Sequence, residues 1–116
     1  MEVSAERISQ VYGRLNAAKT ELFQLAEREM AAKEALKIKE AMLLATPGAI
    51  IGKNAETREA QLREGYPTER QELDLAREAR AKAQLEFDLA TMAVDELKLL
   101  IRWEEIANVG AGEYST

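Results

Sequence analysis

The chain has 116 residues, one domain by the usual length prior, with a net charge of −5 and neither histidine nor cysteine. The missing residue types remove the commonest general base, the thiolate nucleophile, the disulfide and the commonest transition-metal ligands. Hydrophobic residues make up 47% but aromatic residues only 5%, a balance that favours long Ala- and Leu-rich helices over a sheet sandwich.

Positions 4–45 are predicted as one long helix with Ser4 as N-cap. Ile8, Leu15, Leu22, Leu36 and Leu43 recur at seven-residue spacing, interrupted by Glu29. Val11, Ala18, Leu25 and Ala32 fill the companion positions, so the helix carries a coiled-coil seam. Phe23, Met30, Ile38 and Leu44 lie off that seam. Pro47 and Gly48 end the helix and open a loop through Lys53. Within it, Gly48 to Asn54 falls one residue short of a phosphate-binding loop, places Asn where Ser or Thr is required, and follows no strand.

Asn54 is the predicted N-cap of a short helix over 55–64, stopped by Gly65 and Pro67. A last helix is predicted over 68–107, opened by Thr68 with Gln71 as a capping box. Its main stripe runs from Leu73 through Ala76, Ala79, Ala83, Phe87, Ala90, Val94 and Leu97 to Ile101. A second stripe, Leu85, Leu89, Met92, Leu99, Trp103 and Ile106, also alternates by three and four. The Gly-containing stretch 108–116 is expected to be a flexible tail.

Two long helices of similar length joined by a short connector predict an all-α fold: an antiparallel helical hairpin, residues 1–107, with a short connector helix. A hairpin buries one face of each helix. The second stripe is therefore expected to be an oligomer interface, with the hairpin as protomer of a homo-oligomeric bundle. Glu29, Glu86 and Glu96 fall on or beside the stripes and are expected to make interhelical ion pairs or set register, with Lys39, Arg80 and Lys82 as candidate partners.

No catalytic residue, cofactor or metal site is expected, and the protein is read as a non-enzyme. No signal-peptide pattern and no apolar run of roughly 20 residues is present, so no membrane association is expected. Lys33, Lys37, Lys39, Lys53, Arg58, Arg63 and Arg70 gather toward the connector, interleaved with glutamates. Solvated helix faces with local ion pairs explain such a set, and so does a phosphate-backbone contact.

The connector Ile51-Gly-Lys-Asn-Ala-Glu-Thr-Arg-Glu-Ala-Gln-Leu62 resembles a GKNxxxRxAxL pattern in small phage and prophage helical-hairpin proteins. The layout is similar to that of phage recombination mediator proteins, oligomeric helical proteins that bind single-stranded DNA and help load a recombinase. The resemblance implies an accessory role in DNA recombination in the cytoplasm of a bacterial host, with single-stranded DNA or a recombination protein as partner. It also implies Lys53, Arg58 and Arg63 as the first phosphate contacts. The alternative is a protein-binding scaffold, assembly chaperone or inhibitor of a host defence or nuclease protein.

Overall fold

The computed structural model describes residues 3–48 and 54–114, except the side chains of Arg63 and of 110–114. Every regular element among the described residues is a helix: α1 (Ala5–Ala45), α2 (Ala55–Gly65) and α3 (Pro67–Tyr114). Two compact units divide them, one of Met1–Leu22 with Ala83–Thr116, the other Phe23–Lys82.

The helix starts follow from local chemistry. Ser4 Oγ accepts from the Arg7 amide at 3.1 Å, capping α1 without the glutamate of a capping box. Asn54 Oδ1 accepts from the Thr57 amide and the Thr57 hydroxyl, both at 2.8 Å, and Glu56 sits in the first turn of α2. The expected capping box at Thr68 does not open α3. The helix begins one residue earlier, with Pro67 in its first turn and Arg70 N donating to the Tyr66 carbonyl at 3.1 Å. Proline suits that first position because its missing N–H has no intrahelical partner there.

Helix ends follow the same logic. Beyond Ala45, Thr46 N donates to Leu43 O at 3.1 Å and Gly48 takes φ 78°, a left-handed conformation that glycine adopts without a Cβ penalty. At the far end α3 continues to Tyr114, past the predicted end at 107. Gly110 and Gly112 weaken a helix by about 1 kcal/mol each relative to Ala but do not stop one, and no proline follows. The expected tail is thus mostly helical, and only 115 and 116 lie outside the described residues.

In the first unit the start of α1 packs against the C-terminal part of α3. Ala18, Ala83, Ala90, Val94 and Leu97 are buried, with Ile8, Val11, Leu15, Phe87 and Ile101 half-buried around them. The alanines admit close approach of the two backbones, while Leu97, 1% exposed, supplies the bulk. The pairing is antiparallel: Val3 N donates to Glu104 Oε1 at 2.7 Å, and Arg14 meets Glu86. Residue numbers that rise along α1 meet numbers that fall along α3.

The second unit repeats the pattern. Leu36, Leu73 and Ala76 are buried, and Leu25, Ala32, Leu43 and Ala79 are half-buried. Glu29 meets Arg77 and Arg80, and Lys39 meets Glu69, again antiparallel. Helix α2 half-buries Gln61 and Leu62. Its last residue, Gly65, comes so close to α1 that an added Cβ would lie 2.8 Å from Leu43 Cδ2.

Candidate functional site

The two features with functional content are an apolar face in the first unit and a basic groove in the second. The apolar face lies on α3. Leu85, Leu89, Met92, Leu99, Trp103 and Ile106 are all exposed, Trp103 at 70% and Met92 at 66%. Val94 and Leu97, by contrast, are 4% and 1% exposed. The helical repeat explains the contrast: at about 100° per residue the two sets fall on nearly opposite sides of one helix. Leu89, Met92, Ala93 and Leu99 line a shallow groove of about 580 Å³, with Glu96, Asp95 and Arg14 along its edges. Every residue expected at an oligomer interface is thus on one face of α3 and exposed among the described residues.

Arg14 is held there by Glu86. Its Nε and one terminal nitrogen donate to the two carboxylate oxygens at 2.8 and 3.2 Å, a bidentate pair. The hydrogen bond, then the attraction of the opposite charge, holds the Glu86 carboxyl below its ordinary range and raises the guanidinium. Glu96 makes no ion pair with any described residue.

The basic groove lies on α1 and α3 in the second unit. It encloses about 380 Å³, with Ala26 and Met30 as apolar floor and Glu29, Lys33, Glu34, Lys37 and Arg80 as polar walls. Glu29 breaks the α1 seam because two arginines reach it, Arg80 at 3.1 Å and Arg77 at 3.9 Å. Its charge is offset there. Lys33 and Lys37, one helical turn apart, are exposed and make no ion pair with described residues.

The other basic candidates separate. Lys39 donates to Glu69 Oε1, and its ammonium lies 5.8 Å from the centroid of the Tyr66 ring. It is therefore a structural cation that fastens α1 to the start of α3. Lys82 pairs with Glu78 on its own helix at 3.8 Å, so of the partners expected for Glu29 only Arg80 meets it. Arg58 is exposed, with its Nε 3.4 Å from the Asn54 carbonyl. Lys53 lies outside the described residues, as does the Arg63 side chain. Arg70 shares a small pocket with Glu40 and Glu59, whose two carboxylates outnumber its one positive charge.

The Lys39–Glu69 pair gives a pH expectation. The hydrogen bond from Lys39 lowers the Glu69 carboxyl from its ordinary value, and the same bond raises Lys39. A lowered carboxyl stabilises the fold fully above its ordinary range and loses that effect as the pH falls through its folded value. A raised ammonium loses its effect only on the alkaline side. Wild type is therefore expected to melt above Glu69→Gln at neutral pH, and the gap is expected to close in acid. Thermal melts of both proteins across the acid range check this; a gap that widens toward low pH contradicts it.

No group of three or more acidic side chains among the described residues is placed to hold a metal ion. No described helix is long and apolar enough to cross a membrane. No protein-family model, curated protein or solved structure matches the chain.

Proposed function

We propose that the protein is a non-enzymatic homo-oligomer. Its protomer is an antiparallel helical hairpin that assembles into a bundle through the exposed α3 face. The observation that carries this is the run of large apolar side chains from Leu85 to Ile106, exposed on the side of α3 away from Val94 and Leu97. A contiguous apolar surface of that extent marks an interaction site. Taking a large apolar side chain out of water contributes up to about 1.5–3 kcal/mol, so several together drive association.

For what the assembly handles, the reading is an accessory protein of the phage and prophage type its connector resembles, binding single-stranded DNA in recombination in a bacterial cytoplasm. The groove of Lys33 and Lys37 supports it. Two ammonium groups that pair with no described residue stand one turn apart, with Glu34 in the same groove and arginines that already offset Glu29. Each protomer presents one such groove, and weak phosphate contacts multiply by avidity in an oligomer. The net charge of −5 favours the second reading, in which the acidic surface binds a protein partner as scaffold, chaperone or inhibitor.

Titration of single-stranded DNA at low and moderate salt, with mass determined in the same buffer, separates the two. The DNA reading expects binding that weakens steeply with salt, with a shallower salt slope in Lys33→Gln/Lys37→Gln. A well-formed oligomer that binds no DNA at low salt sets the DNA reading aside in favour of a protein partner.

A further inference from the structure

The geometry of α3 points to its occupant: we infer that the exposed face pairs with the same face of a second copy, antiparallel about a two-fold axis beside Ala93. This rests on the self-association proposed above and adds the partner's identity and orientation.

The exposed residues form a strict heptad seam. Leu85, Met92, Leu99 and Ile106 occupy one core position, and Leu89, Glu96 and Trp103 the other, alternating by four and three without a break. A seam of that period is built to receive another helix, and Glu96 is its single polar position. The flanking residues then decide direction. On one edge stand Asp88, Asp95 and Arg102, all exposed. On the other stand Glu86, Ala93 and Leu100, of which Glu86 is already held by Arg14 of the same chain.

In the antiparallel register the core layers are Leu85 on Trp103, Leu89 on Leu99 and Met92 on Glu96, each formed twice by symmetry. The same register brings Asp88 of each copy opposite Arg102 of the other, giving two equivalent ion pairs. Glu96 then packs against a flexible methionine, at the seam's edge in reach of water. The two Asp95 carboxylates flank the axis and oppose the pairing in part. A parallel pair is worse on both counts. It stacks Glu96 on Glu96 in one layer, and it sets Asp88, Asp95 and Arg102 against Ala93, Leu100 and Ala107, with no ion pair formed. In the single chain Asp88 accepts from Gln84 Nε2 at 3.0 Å, an exposed bond on its own helix that is free to exchange. An isologous contact of this kind closes on itself and leaves no open end.

Charge reversal tests the orientation. Asp88→Arg alone, or Arg102→Asp alone, places like charges opposite each other twice. Each is expected to weaken self-association about tenfold by sedimentation equilibrium, while the double substitution returns it to within about threefold of wild type. Circular dichroism of each variant reports that the helices persist. Because the chain has no cysteine, Ala93→Cys carries a single thiol. A short thiol cross-linker is expected to join two copies at that position, which faces its equivalent only in the antiparallel pair. If the wild type self-associates while the charge variants are indifferent or the double substitution fails to rescue, the orientation is overturned and self-association stands. Absence of the cross-link in an associating protein overturns it too. A wild type that stays a single chain overturns both.

Discussion

Leu99→Glu combined with Trp103→Glu is expected to reduce the protein to the mass of one chain while leaving its helical circular dichroism nearly intact. Both side chains are exposed, at 59% and 70%, and neither belongs to the buried set of Val94 and Leu97. Replacing them therefore leaves the buried core between α1 and α3 in place. It does remove two large apolar side chains from the proposed interface and adds four negative charges per pair of copies. The lost burial alone is about 3 kcal/mol or more, a weakening of at least about 100-fold. Size-exclusion chromatography with light scattering reads the outcome. An unchanged assembled mass would mean that association uses another face, such as that of Phe23, Met30 and Ile38 on α1, also exposed.

Leu97→Ala is the complementary change and is expected to act on folding rather than on assembly. Leu97 is 1% exposed, so shortening it opens a cavity between two helices already brought close by alanines. The expected cost is about 3 kcal/mol of unfolding free energy. The measurement belongs in the Leu99→Glu/Trp103→Glu background, where association no longer adds to apparent stability. Urea unfolding of that background with and without Leu97→Ala gives the difference. A shift below about 0.5 kcal/mol, the size of an ordinary surface substitution, would contradict the assignment of Leu97 to the core.

The division of α3 into a buried and an exposed face was legible in the residue spacing. A seven-residue apolar period is a direct statement of which side chains share a face, and every α1 seam position from Ile8 to Leu43 is buried or half-buried. Helix starts at Ser4 and Asn54 were legible for a similar reason: a short polar side chain there satisfies an amide the helix leaves orphaned. The end of α3 was not, because glycine lowers helix propensity without forbidding the helix.

Legibility was poorest for the charged residues. Lys39 reads as one more cation near the connector, yet Glu69 and the Tyr66 ring hold it. Arg14 carries no signal at all until Glu86 is placed beside it. Ion pairs between helices depend on register, which apolar periodicity fixes only to the face and not to the individual partner. Once α1 and α3 are set antiparallel, the pairs of Glu29 with Arg77 and Arg80, and of Lys39 with Glu69, become the expected ones. The same reasoning removes Lys39 from the basic set, while Lys33, Lys37 and Arg58 make no ion pair with described residues.

The most direct test is the mass of the wild-type protein in solution, by sedimentation equilibrium across a wide concentration range at moderate salt. The proposed pairing of the exposed heptad face predicts a mass at least twice that of one chain, persisting as salt rises because apolar burial is not screened. A mass of one chain at every concentration would mean that α3 leaves Leu99, Trp103 and Ile106 in water without a second copy to cover them, and self-association would fall.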